Sequence, residues 1–137
     1  MNHFIKEEFV KALKEVFYFV EKERIEDEER TSGIEARTLT DGDIWNIFGE
    51  EFELFYKNNK KTIEDFIEKE NLDFKRFVHL YYYNRNGHGV GFWDYESSEA
   101  RTLDKLTENK WIEFSLSDDG EISFMVIDVN KERCNES

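Results

Sequence analysis

Leu80-Tyr81-Tyr82-Tyr83-Asn84-Arg85-Asn86-Gly87-His88-Gly89-Val90-Gly91-Phe92-Trp93-Asp94-Tyr95 is the stretch on which the reading of the fold turns. An aromatic run leads in, three glycines alternate with His88 and Val90, and a second aromatic run leads out. Glycine reaches backbone conformations closed to other residues and lets a backbone or a ligand approach closely. Aromatic residues favour pleated, half-buried surfaces. The pattern predicts a β-hairpin, with Leu80–Tyr83 as the first strand and Val90–Tyr95 as the second.

Downstream, Ser97 or Ser98 is placed to cap a short helix carrying Ala100, Leu103 and Leu106 on its inner face. Trp111 to Leu116 alternates apolar and polar, as a half-buried strand does. Ser117-Asp118-Asp119-Gly120 contains Asp-Gly, a strong hairpin signal, and Ile122 to Val129 reads as the return strand. The C-terminal half is thus expected to be a ββαββ module.

Upstream the period changes to 3.6. Residues 3–30 form a long amphipathic helix in this reading, with Ile5, Phe9, Ala12, Leu13, Val16, Phe19 and Val20 on its inner face. The four acids Glu26-Asp27-Glu28-Glu29 oppose the helix dipole, so that end should fray before Thr31-Ser32-Gly33 terminates it. Thr40 or Asp41 caps a second helix over 42–57, with Ile44, Trp45, Phe48, Phe52, Phe55 and Tyr56 as its stripe. Thr62 is expected to cap a third helix through Ile63, Phe66 and Ile67. The expected fold is α+β: about three N-terminal helices (1–72) packed on an antiparallel ββαββ module (73–130), followed by a loose tail (131–137), within one domain.

Composition bounds the function. The 137 residues carry 32 acids against 19 bases, net −13, and 16% aromatics with no proline. The aromatics supply a core. The charge disfavours direct binding to nucleic acid, which needs clustered cations to displace counterions, and disfavours anionic membranes. A basic protein surface is the complementary partner. The single cysteine, Cys134, allows no internal disulfide, and no Cys/His set has zinc spacing, so neither metal nor cofactor is expected. No leader or bilayer-spanning run is read, and the expected setting is a reducing cytoplasm.

The ten residues Arg85-Asn86-Gly87-His88-Gly89-Val90-Gly91-Phe92-Trp93-Asp94 resemble the signature of a group of small, uncharacterised bacteriophage proteins: an aromatic strand, Arg-Asn-Gly-His-Gly, a small residue, then Gly-Phe-Trp-Asp. The likeness continues through Leu103-Asp104-Lys105-Leu106-Thr107 and Asp118-Asp119-Gly120-Glu121-Ile122, covering residues 79–124, about a third of the chain. Tyr82-Tyr83-Asn84 departs from the group's Trp-Leu-Thr. The resemblance implies a phage origin, a host-cell cytoplasmic setting and a shared fold core, and supplies no mechanism.

Candidate contact residues follow. Tyr82, Arg85, Asn86, Gly87, His88, Gly89, Gly91, Trp93 and Asp94 form the expected ligand- or partner-binding loop, a backbone nest flanked by a cation and an imidazole. Glu21, Glu23, Glu26, Asp27, Glu28 and Glu29, with Glu50, Glu51 and Glu53, form the expected acidic partner face. Two other chemistries are conceivable on the same residues: a His88/Asp94 acid–base pair in a hydrolase or nuclease, and a metal site on His79, His88 and Asp94. No serine or cysteine nucleophile stands in a recognisable context. The expected function is an acidic, non-catalytic phage protein. It docks on and inhibits a host nucleic-acid-handling or immune protein of CRISPR or restriction type, by charge mimicry of nucleic acid. The alternative is a nucleotide- or small-anion-binding protein. Monomer and homodimer are both compatible with the sequence.

Overall fold

The computed structural model describes residues 3–86, 91–107 and 110–128. The chain is mostly helical, with one small antiparallel sheet toward its C-terminal end. Helix α1 (His3–Ser32) is followed by α2 (Asp41–Ile44), a π-helical segment (Trp45–Gly49), α3 (Glu50–Asn58), α4 (Lys60–Lys69) and α5 (Phe74–Arg85). A 3₁₀ turn (Phe92–Asp94), α6 (Ser98–Leu106), β1 (Lys110–Leu116) and β2 (Ile122–Asp128) complete it. Among the described residues no helix is long and apolar enough to cross a membrane.

The expected first hairpin is not formed. Leu80–Tyr83 belongs to α5, and Phe92–Asp94 is a single 3₁₀ turn. The physical reason is burial on nearly every side. Phe77, Val78, Leu80, Tyr81, Tyr82 and Arg85 are all buried. A central helix of this kind carries apolar residues all round and so loses the 3.6-residue alternation that marks a surface helix. Asp73 starts it, its carboxylate accepting from the Arg76 N–H at 2.7 Å. The ββαββ module is therefore replaced by a helix, a turn, a helix and one two-stranded sheet, and α1 packs on that sheet alongside α5.

The remaining elements follow local chemistry. Thr40 and Asp43 make a reciprocal capping box, Oγ1 accepting at 3.1 Å and the carboxylate at 2.9 Å. Ser97 caps α6 through the Ala100 N–H at 3.2 Å. Thr62, expected as a cap, lies inside the first turn of α4, because α3 runs almost directly into α4. Asn59 serves the junction instead, its Nδ2 donating to the Phe55 carbonyl at 3.0 Å.

In α1 the buried stripe begins with Phe9, Ala12, Leu13 and Val16, then shifts to the i+4 series Leu13, Phe17, Glu21 and Ile25. Phe19 thereby leaves the inner face and is 79% exposed. The acidic end is braced: Arg30 pairs with Asp27, and the Glu29 carboxylate accepts from the Ala36 N–H at 2.9 Å. The helix stops at Gly33, whose φ of 73° supplies the left-handed residue beyond the last turn.

The sheet pairs Lys110 with Asp128 through Leu116 with Ile122. Its tip is a turn in which the Gly120 N–H donates to the Ser117 carbonyl and Ser117 N–H to Glu121. Phe114 meets Phe17, and the Arg24 guanidinium lies 4.8 Å from the Phe114 ring centroid. One contiguous core runs from Phe9 to Ile122, drawing on both halves of the chain.

Two glycines separate conformational from steric demand. Gly33 has a positive φ and open space around it. Gly120 has φ +87°, and a Cβ there would lie 2.3 Å from the Glu35 carbonyl oxygen. Gly33→Ala is expected to cost about 1 kcal/mol, from left-handed strain alone. Gly120→Ala should cost about 2 kcal/mol or more, because the hairpin tip must also part from the 35–37 connector. Urea denaturation of both variants checks the order, and equal losses would contradict it.

Candidate partner interface around the signature

The signature emerges from the C-terminal end of α5, and its first two residues, Arg85 and Asn86, enter the molecule rather than leaving it. Arg85 is 1% exposed. Its Nε donates to Glu51 Oε1 at 2.8 Å and its Nη1 to Asn86 Oδ1 at 2.6 Å. The guanidinium carbon lies 5.5 Å from the Phe48 ring centroid. Tyr81 donates to the same Glu51 oxygen at 3.1 Å. One turn earlier, Tyr82 is fully buried and donates to Glu21 Oε1 at 2.9 Å. Glu21, itself 1% exposed, takes Arg24 Nη1 on its other oxygen at 2.8 Å. A buried carboxylate requires such partners, since losing water uncompensated costs several kcal/mol. Burial, followed by the neighbouring Glu21 charge, holds the Tyr82 phenol far above its ordinary value of 10.0.

These placements revise the expected contact set. Tyr82, Arg85 and Asn86 are core residues; of the two acids that accept from them, Glu21 is buried, and Glu51, half-buried, is the carboxylate paired with Arg85. The i+4 spacing of Glu21 from Phe17 and to Ile25 was the sequence signal for its burial. Nothing local in the sequence marks Glu51 as the partner of Arg85, 34 positions away.

The described part of the outgoing run is a pinned turn. Asn84 Oδ1 accepts from the Phe92 N–H at 3.1 Å, and Asp94 Oδ2 from the Gly91 N–H at 2.9 Å. A Cβ on Gly91 would come within 2.4 Å of Asn84 Oδ1, so glycine serves close approach here. Phe92 is buried, with ring centroids 5.6 Å from Phe66 and 5.5 Å from Phe77. Trp93 points out, 55% exposed. Gly87, His88 and Gly89 lie outside the described residues, as does Cys134.

Asp94 is thus held by a backbone N–H. His79, on α5, faces α1 with Nε2 3.9 Å from Glu15, and burial pushes its pKa below the ordinary value. Among the described residues no group of three metal-binding side chains occurs.

Comparison with protein-family models, curated proteins and solved structures finds no match for this chain. Beside the Arg85–Glu51 pair lies a hollow of about 330 Å³ lined by Glu51, Leu54, Phe55, Tyr81, Leu106 and Thr107. Leu54 is 62% exposed, and Leu106 is exposed as well. Of the acids expected to face a partner, Glu23, Glu26, Asp27 and Glu50 are exposed, while Glu28, Glu29 and Glu53 are half-buried.

The two polar pairs make distinct predictions. Glu51→Leu, which takes the carboxylate from the buried Arg85 guanidinium, should lower the unfolding free energy by about 3 kcal/mol, and the double variant Arg85→Met/Glu51→Leu should recover much of that loss. A loss below about 1 kcal/mol in urea melts, typical of exposed pairs, would contradict the burial. For Tyr82 the folded state keeps the phenolic proton that the unfolded chain releases. Its contribution is whole below about pH 10 and declines as pH rises above it, by up to about 1.4 kcal/mol per pH unit. In Tyr82→Phe that part of the alkaline decline should vanish, as read from denaturation at stepped pH; an unchanged slope would contradict it.

Proposed function

We propose that this chain is a phage-encoded acidic protein. In this reading it docks on a basic surface of a host nucleic-acid-handling or immune protein, of CRISPR or restriction type, and inhibits it. The phage source rests on the resemblance of residues 85–94 to the bacteriophage signature. The observation that carries the docking reading is the division among the acids. With a net charge of −13, the fold draws Glu21 inward, ties the half-buried Glu51 to Arg85, and leaves Glu23, Glu26 and Asp27 exposed along α1.

The spacing sets the kind of mimicry. Residues three to four apart on a helix recur at about 4.5–6 Å along its axis. A duplex carries one charge per about 1.7 Å. Lys22, Arg24 and Arg30 are also interleaved with the acids. The array is sparser than a phosphate track and suits a basic protein groove approached through steering. Trp93, Leu54 and Leu106, exposed near the signature, supply the apolar anchors that acids alone lack.

The test is an inhibition titration against purified CRISPR surveillance complexes and restriction endonucleases, with cleavage of labelled DNA as readout. Dose-dependent inhibition is expected for at least one target. It should weaken at least ~10-fold on raising salt from low to physiological levels, and comparably in the Glu23→Lys/Glu26→Lys/Asp27→Lys variant. Trp93→Ala should weaken it ~10-fold or more without changing the salt dependence. Absence of inhibition across the panel, or inhibition indifferent to both salt and charge reversal, would overturn the proposal.

A further inference from the structure

We propose that the groove between α1 and the α2–π segment binds a small aromatic anion, its ring stacked on Trp45 and its charge held by the lysines of α1. The site is separate from the signature and does not rest on the docking reading.

The groove encloses about 870 Å³, within the range of small-molecule sites, and its floor is Val10, Tyr18 and Trp45. The Tyr18 hydroxyl accepts from the Leu39 N–H at 2.8 Å, which fixes the position of the side chain that lines the groove. Trp45 is presented by an unusual piece of backbone. It opens the π segment, and the residue four positions on is Gly49, where a Cβ would fall 2.2 Å from the indole. A π turn and a glycine inside a helix both cost helix stability, and π turns concentrate at functional positions. Here they leave room for the indole to lie along the helix. Its ring centroid lies 6.1 Å from that of Phe9, and the residue is half-buried and lines the groove.

The charges that face the groove are Lys6, Lys11 and Lys14, with Glu7, Glu15 and Asp41. Glu15 is engaged from outside by Lys75 of α5 at 2.9 Å. Asp41 lies 3.7 Å from Lys14 and is mostly in water. On a chain of net charge −13, this is a place where cations match the acids, and one of those acids is already neutralised from outside. Lys6 holds its Nζ 4.4 Å from the Trp45 ring centroid. An ammonium over an indole face marks where a ligand's ring and its anionic group would lie side by side: the ring takes the face, and Lys6 exchanges the indole for the anion. Lys11, exposed and lining the same groove, adds a second cation.

Isothermal titration on the full chain tests this with three probes: adenosine monophosphate, 2-naphthoate, and adenosine as the uncharged control. Saturable one-to-one binding of an anionic probe is expected, with adenosine at least ~10-fold weaker. Lys6→Gln/Lys11→Gln should weaken the anion ~10-fold and leave adenosine unchanged. Trp45→Phe should bind within a few-fold of the parent, and Trp45→Ala at least ~10-fold more weakly. Should Trp45→Ala fail to fold, the lysine variant and Trp45→Phe decide. Preference for adenosine monophosphate over naphthoate assigns a nucleotide, and the reverse an aromatic carboxylate; both support the site. No saturable binding of either anion at millimolar concentration would overturn it. So would binding that survives unchanged in the lysine variant, as would occupancy of the groove by a second copy of the chain in solution.

Discussion

Helix α5 is buried on nearly all sides, yet it ends in polar groups, and the rest of the structure answers that constraint. Tyr81, Tyr82 and Arg85 bring two hydroxyls and a guanidinium into a region with little access to water. Each needs an acceptor, because an unpaired buried donor costs more than a satisfied one returns. Glu21 from α1 and Glu51 from α3 supply those acceptors. Two helices far apart in sequence are thereby fixed against a third. The aromatic rings around them, Phe48, Phe52 and Phe77 among them, fill the remaining volume.

That arrangement gives the acids different roles. Glu21 is buried and Glu51 is paired with Arg85, so both are structural. Glu23, Glu26, Asp27 and Glu50 face water and give the molecule its outward field. The signature divides in the same way. Asn84, Gly91, Phe92 and Asp94 build a turn against the end of α5, and Trp93 is what that turn exposes. For the proposed docking role, a turn already ordered by Asn84 and Asp94 leaves less order to create on binding.

Elements with local determinants were legible in the sequence. Thr40 and Ser97 act as caps because their side chains reach N–H groups three positions away, and the Asp119-Gly120 tip forms because glycine takes the left-handed conformation. The long helix α1 and the helical stripe of Ile44, Phe48 and Phe52 followed from periodicity. What failed was set by tertiary packing. Leu80–Tyr83 looks like a strand because complete burial erases helical alternation. Phe19 looked internal because the stripe of α1 shifts phase midway, and Glu51 looked external because its partner is remote in sequence. The π turn at Trp45 and the groove beside it leave no trace in hydrophobic spacing alone.

Native-state hydrogen exchange of the Val78–Arg85 amides tests most directly whether α5 is the clamped central helix of this fold. These amides should exchange only through global unfolding, in the slowest class of the protein, and Glu51→Gln should move Tyr81–Arg85 into a faster class. Rapid exchange of Val78–Arg85 in the parent protein, or an unchanged pattern in Glu51→Gln, would contradict it.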